Sequence, residues 1–387
     1  MKYLHWISFD ILLLCLISCS SPTNNPQPMP NYMKPHIMVV SVSSDGNYAI
    51  STDLYQHAIL WNLKEKKYKL VAKNINVYSA YFVKHTDDFM YQNDKSNEVI
   101  IENIKGKIIK RLNPGFPTYG EVITSDLQNY FASDDNYNIY RDNNNQIKKI
   151  YMAWRESFEG FGKLFNLNLS FDNQCLIGSG FDFIRVWCLP ELKMNELHKN
   201  NAQTVAVISP DDKYVISGDA NFWGYLYNLD TKEGAGFYYQ IPEYPALSNY
   251  EGPYKINTLT GITAVKYIDN DHVLAFYYGI AQRFNYAGLY NVALKKRNNI
   301  QAGEYQYQLV PIKYIPLVKP EHKFSLEPIT NSYVRDEAID TSPTAHVLVM
   351  AQAENNGILV YHYDPDKQTL TQVWAPVIKN PWWHFLG

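Results

Sequence analysis

From residue 36 onward the chain repeats one pattern of apolar and polar positions. In its clearest copy, residues 204–237, an apolar run from Val205 to Ile208 enters the polar turn Ser209-Pro210-Asp211-Asp212. A second run, Tyr214 to Ser217, breaks at Gly218. A third, Gly224 to Leu229, ends in Asp230-Thr231-Lys232-Glu233-Gly234, and a short fourth run closes the unit. Short runs separated by turn residues predict antiparallel hairpins. Near-continuous apolar character predicts strands buried on both faces. The same order returns at 39–71 and 164–197, and more weakly at 77–112, 119–151, 262–300 and 334–374. Each third run carries an anchor: Trp61, Glu102, Arg141, Trp187, Tyr227, Tyr290 and Tyr363, spaced by 41, 39, 46, 40, 63 and 73 residues.

Three segments, SSDGNYAIS…ILWNL, SFDNQCLIGSG…IRVWCL and SPDDKYVISGD…YLYNL, resemble the WD40 repeat. The first four spacings agree with its period of about 40–45 residues. The resemblance spans residues 39–374 and implies an all-β fold: a seven-bladed β-propeller of four-stranded antiparallel blades. The stretched last repeats leave six or eight blades open. No Gly-His pair opens a repeat and no Trp-Asp pair closes one. The Asp-His-Ser-Trp hydrogen-bond network of WD40 blades is therefore expected to be missing, with stability coming from apolar packing between blades. The ring needs closure, by a strand from residues 31–36 or from the tail VWAPVIKNPWWHFLG. Trp382, Trp383 and Phe385 either pack on that seam or dock on a partner.

Two insertions, 238–261 and 301–333, read as blade-to-blade links flanking the sixth blade, and so project from one face. Both are rich in Tyr and Pro. Either their tyrosines fold the loops onto the rim, or Tyr238, Tyr239, Tyr244, Tyr250, Tyr254, Tyr305, Tyr307 and Tyr314 form a partner-binding surface. Tyrosine is a frequent interface hot spot. Carbohydrate stacking is the third reading.

The first 18 residues read as a signal peptide. Lys2 supplies a weakly positive start, and Ile11 to Ile17 is apolar throughout, too short a run for a bilayer span, which takes about 20 residues. Leu16-Ile17-Ser18-Cys19 resembles the lipobox of bacterial lipoproteins, which implies cleavage before Cys19 and its lipidation. Several acyl chains anchor stably where one is marginal. Ser20 at the sorting position implies the outer membrane. Residues 19–35, dominated by Ser, Asn and Pro, read as an extended tether, and residues 36–387 as the propeller.

Composition narrows the function classes. A net charge of −3 with no basic block gives no electrostatic footprint for nucleic acid. Aromatic residues reach 15 %, with 32 tyrosines, which suits half-buried strands and binding faces alike. The ten histidines are scattered, and no metal or cofactor motif is present. His346 and His362 fall in different strands of the last repeat and could approach each other. The stretch 134–146, DDNYNIYRDNNNQ, lacks the Gly and Glu of a calcium loop and reads as two polar turns around a short strand. Cys175 and Cys188 fall on the second and third strands of one repeat, either bridged or as two free thiols.

The expectation is a non-catalytic lipoprotein of the outer membrane, facing the periplasm and acting as a scaffold for an envelope protein. The competing readings are a propeller hydrolase or lyase, which would need at least three acidic or His side chains converging on the axis, and a surface-exposed adhesin.

Overall fold

The computed structural model describes residues 37–134, 138–143, 146–151, 164–180, 183–199, 204–219, 221–240, 259–279, 286–297, 306–316, 338–352, 357–376 and 378. Blade 1 is β1 (Ile37–Val42), β2 (Tyr48–Asp53), β3 (His57–Asn62) and β4 (Lys67–Lys73). Blade 2 is β5 (Ile75–Phe82), β6 (Asp88–Asn93), β7 (Val99–Asn103) and β8 (Ile108–Leu112). Blade 3 is β9 (Gly120–Ile123), β10 (Asn129–Ser133), β11 (Ile139–Asn143) and β12 (Gln146–Tyr151). Blade 4 is β13 (Leu164–Leu169), β14 (Cys175–Gly180), β15 (Phe183–Cys188) and β16 (Lys193–Lys199). Blade 5 is β17 (Thr204–Ile208), β18 (Tyr214–Asp219), β19 (Trp223–Asn228) and β20 (Gly234–Tyr239). Blade 6 starts with β21 (Leu259–Tyr267), β22 (His272–Gly279) and β23 (Tyr286–Asn291). After β24 (Lys295–Lys296) and β25 (Tyr307–Leu309) it ends with β26 (Pro311–Pro316). Blade 7 is β27 (Ile339–Ser342), β28 (Val347–Ala351), β29 (Ile358–Asp364) and β30 (Thr369–Trp374). Each blade is an antiparallel meander in chain order, and all seven anchors lie on third strands.

Apolar runs are nearly continuous because alternate residues of a strand serve two different cores. Along β3, Ala58 and Leu60 pack with Ile75, Phe82 and Phe89 of blade 2. Ile59 and Trp61 pack with Val349, Ile358 and Val360 of blade 7. This is the side-chain period of two. The core is thus seven clusters, each between neighbouring blades, the last joining blades 7 and 1.

That last cluster closes the ring. No closing strand is exchanged among the described residues: blades 1 and 7 are each built from their own four strands. Val42 N–H instead donates to Asp340 Oδ2 at 2.8 Å, and Ser342 Oγ donates to Ser44 O at 2.7 Å. Ile378, from the tail, is buried in the same seam. Trp382, Trp383 and Phe385 lie outside the described residues.

First hairpins share one device. In Ser43-x-Asp45, Thr124-x-Asp126, Ser170-x-Asp172 and Ser209-x-Asp211 the hydroxyl donates to the carboxylate at 2.6 Å. The same oxygen accepts the N–H five residues on, as Ser43 does from Tyr48 at 2.9 Å. Local bonds of this kind stabilise turns against strand continuation. The WD40 network is also less absent than its missing dipeptides imply. Trp61 Nε1 donates to Ser51 Oγ at 2.8 Å in blade 1, the Ser–Trp half of that network.

The structure moves the bounds of both insertions: Tyr238 and Tyr239 end β20, and 259–261 open β21. Residues 301–333 are not a single link: 307–309 pair parallel with β20, and 311–316 pair with β23 as the fourth strand of blade 6. Blade 6 therefore runs well beyond residue 300. Two prolines hid its outer strand, and they are tolerated there because an edge strand has no outward ladder to complete. The insertion carrying β24 and β25 joins third and fourth strands, so it leaves from the end opposite the blade-to-blade links.

Candidate functional site

Two places collect chemistry. The first is the axis, where a cavity of about 150 Å³ is lined by the inner strands of all seven blades. Its wall is mainly apolar, with Val40, Ile123, Leu169, Ile208 and Ile339, and its charged residues are Lys84, Lys266 and Asp340. Turn residues Ser44, Phe171 and Thr344 place it at the end carrying the first-to-second-strand turns.

The Lys84-His85 turn of blade 2 reaches past blade 3 to blade 4 at this end. Lys84 Nζ donates to Leu169 O and lies 4.5 Å from the Phe171 ring centre. His85 Nε2 is 2.7 Å from Phe171 O, and His85 N–H donates to Ser44 Oγ at 2.9 Å. Blade 5 adds Asp212, whose carboxylate accepts Phe171 N–H at 2.5 Å and Asp172 N–H at 2.7 Å. Burial pushes the Lys84 ammonium down to about 8, against the opposing pull of Asp212, Asp340 and Asp172. Burial also raises Asp340, with Lys266 and the Val42 N–H opposing. Both effects have one cause: a low-dielectric site disfavours the charged form.

A second buried polar cluster sits between blades 2 and 3. Glu121 accepts hydrogen bonds from Ser79 Oγ, from Tyr130 Oη at 2.7 Å and from Thr118 Oγ1 at 3.3 Å. Burial holds its carboxyl above the ordinary range. Gln92 ties Asn76, Thr118 and Phe116 into the same seam. With these side chains buried, the cluster ties blades 2 and 3 together.

The second place is blade 5, where the second-to-third-strand turn meets the end of β20. Asp219 Oδ1 accepts the N–H groups of Asn221 at 2.7 Å and Trp223 at 2.9 Å, fixing the turn. Gly224 follows because a Cβ there would stand 2.5 Å from the Phe237 ring and from Ser217 O. Trp223 is left 39 % exposed, directly across the sheet from Tyr238. The Arg297 guanidinium, just beyond β24, lies 5.7 Å from the Tyr238 ring centre.

The expected tyrosine surface divides. Tyr238 belongs to this cluster. Tyr239 does not: it is fully buried, its hydroxyl donates to Ser217 O at 2.7 Å, and its ring packs edge-on against Tyr290. Strand alternation sends two neighbouring tyrosines to opposite sides. Tyr307 is half-buried on β25, and Tyr314 lies on β26 opposite Gly288. Tyr244, Tyr250, Tyr254, Tyr305 and Cys19 lie outside the described residues. Trp223, Arg297 and Lys84 were not singled out by sequence. The only signal was an aromatic pair, Phe222-Trp223, in a turn where polar residues are usual.

The axis brings together one carboxylate and two amines among the described residues, short of three acids or histidines. No group of three His, Cys, Asp or Glu there could hold a metal ion. His346 Nδ1 lies 3.2 Å from Ile268 O of blade 6, whereas His362 is exposed. The Asp134 carboxylate accepts from Asn138 and from Tyr140 Oη, as a polar turn does. Cys175 and Cys188 stand opposite each other on β14 and β15, joined in a disulfide with S–S 2.08 Å.

The sequence matches no known protein family and no curated protein. Its fold is similar to many solved structures. The β-propeller domain of Myceliophteria thermophila Cps50 (Swd1) has a TM-score of 0.55 at 9% identity, covering 85% of this chain and 98% of that one. Kluyveromyces lactis Hsv2 has a TM-score of 0.56 at 10% identity, covering 89% and 99%. Kuenenia stuttgartiensis hydrazine synthase has a TM-score of 0.54 at 12% identity, covering 92% and 100%. At such identities the likeness is one of fold. The chain is a seven-bladed β-propeller of four-stranded antiparallel blades.

Proposed function

We propose that this propeller is a non-catalytic scaffold lipoprotein, anchored through Cys19 in the outer membrane and facing the periplasm, that binds an envelope protein at blade 5. The observation that carries the binding reading is the exposed Trp223 beside Tyr238 and Arg297. Trp, Tyr and Arg are the side chains over-represented where interfaces concentrate their energy. A rigid turn also presents them at little entropic cost. The lipobox resemblance at Leu16 to Cys19 supports the anchor and the compartment.

The test is crosslinking in cells followed by recovery of the tagged full chain, for the native sequence and for Trp223→Ala. A hot-spot side chain contributes about 2 kcal/mol or more, so recovery of a stoichiometric partner should fall by roughly thirtyfold at unchanged melting temperature. An undiminished partner in the variant removes blade 5 from the interface. Palmitate incorporation that survives Cys19→Ser removes the anchor.

A further inference from the structure

Fourth strands form the outer wall of the ring, and an unpaired fourth strand is an open sheet edge. Such edges recruit other strands unless charge, proline or a cover prevents it. Six blades here are protected. β4 carries Lys67, Lys69 and Lys73, and β8 carries Lys110 and Arg111. β12 carries Lys148 and Lys149, and β16 carries Lys193. β26 has Lys313 between Pro311 and Pro316. β20, Gly-Ala-Gly-Phe-Tyr-Tyr, has no charge, and it is covered: β25 adds to it in parallel through Phe237, Tyr238 and Tyr239.

Among the described residues β30 has neither protection. Its sequence is Thr-Leu-Thr-Gln-Val-Trp, without charge or proline. Thr371, Gln372 and Val373 are exposed in succession, so both faces of the strand meet solvent as well as its edge. Among the described residues no strand pairs with its outer side. At its rim Lys66 Nζ donates to Val373 O at 3.1 Å, near the end of the strand. A bulge near Val373 does not set β30 apart, since β4, β8, β12, β16 and β26 are bulged too.

We infer that β30 is a self-association edge: a second copy of this chain adds its own β30 antiparallel to the first, making one eight-stranded sheet across a two-fold axis. The argument for a second copy is self-complementarity. A two-fold contact sets a strand against itself, and in any antiparallel register within β30 the facing side chains are Thr, Leu, Gln, Val and Trp. No like charges oppose. The same contact at β4, β8 or β12 would set lysines against lysines. Covered β20 shows that an uncharged fourth strand in this ring does accept another strand. An edge contact is smaller than the roughly 800 Å² per partner of a stable interface. The dimer is therefore weak, with a dissociation constant on the order of 10–100 µM.

The surface is separate from Trp223, so this inference and the scaffold reading fail independently. Purified full-length chain in mild detergent is sedimented across ~1–300 µM, and Thr371→Cys is oxidised and run on non-reducing gels. Ile109→Cys, at another exposed site on β8, is the control. The expected result is a concentration-dependent dimer, with disulfide-linked dimer at least fivefold above the control, and loss of both on adding Val373→Lys. Gln372→Pro replaces Val373→Lys if that variant melts lower than the native chain. A chain that sediments as a monomer throughout, or a crosslink no stronger at 371 than at 109, overturns the inference. So does a dimer indifferent to Val373→Lys.

Discussion

Lys84 is the residue whose surroundings differ most from its sequence context. It sits between an apolar strand and a polar turn, where a lysine normally extends into water, yet it bridges blade 2 to blade 4 across the axis. With its ammonium down to about 8, the folded amine has lost a proton that the unfolded chain still holds up to about 10.4. The unfolded state therefore binds more protons between those values, and this group's contribution makes folding more favourable as pH rises through that window. The same shift makes Lys84 reactive. In competitive acetylation resolved by peptide mass spectrometry, its labelling should level off above pH ~8 while exposed lysines keep climbing. A Lys84 profile still rising steeply at pH 10 would show that the site does not disfavour the charge. Trp61 and Tyr239 illustrate what sequence can disclose at this scale. Trp61 was legible as the anchor of a third strand, and it is fully buried. The inward turn of Tyr239 follows from its parity in β20, which is fixed only once that strand's start is known.

Elements were legible where local turn chemistry and alternation agreed. The Ser/Thr-x-Asp turn punctuates blades 1, 3, 4 and 5, and there the expected copies and observed strands nearly coincide. Blade 6 was not legible in its outer half. Pro311 and Pro316 argue against a strand by propensity, and only pairing with β23, set by the ring, makes them acceptable. The short β25 likewise has no local signature and exists because the uncovered β20 offers it a ladder. Blade 4 carries the covalent element, the bridge between β14 and β15 closing a loop with a sequence separation of 13. Loops of that size contribute about 3 kcal/mol when crosslinked. Cys188→Ser should lower the denaturation midpoint accordingly, and reductant should destabilise the native chain but leave the variant unmoved. Equal sensitivity of both to reductant would mean that the bridge is not formed in the purified protein.

For the whole molecule, the ring is the unit of stability, because every apolar cluster belongs to two blades. A lesion at any junction should be felt all round. Val349, fully buried at the junction of blades 7 and 1, makes the test: Val349→Asp buries an unpaired charge, which costs several kcal/mol. Tryptophan fluorescence and far-ultraviolet circular dichroism should still lose signal together, in one transition at lower temperature. Two separated transitions would show that the blades melt as independent units. At this scale the repeat was readable from spacing, but the stretched last two repeats left six or eight blades open until the strands were paired into seven sheets. The manner of closure was not readable, because side chains meeting across more than 300 residues leave no trace in any local pattern.

That manner of closure has a consequence for how the molecule comes into being. A ring latched by a borrowed strand would hold its two ends in one sheet. Here the latch is a surface: the Ile37, Val40 and Val42 flank of the first blade against Val349 and Val360 of the last. A chain threaded out of its synthesis or export machinery from the amino end shows that flank to its surroundings from the beginning, and finds its match only when the final blade arrives. For the whole of that interval the growing protein is an open arc with one greasy end, and the arrival of the last blade turns it into a closed body.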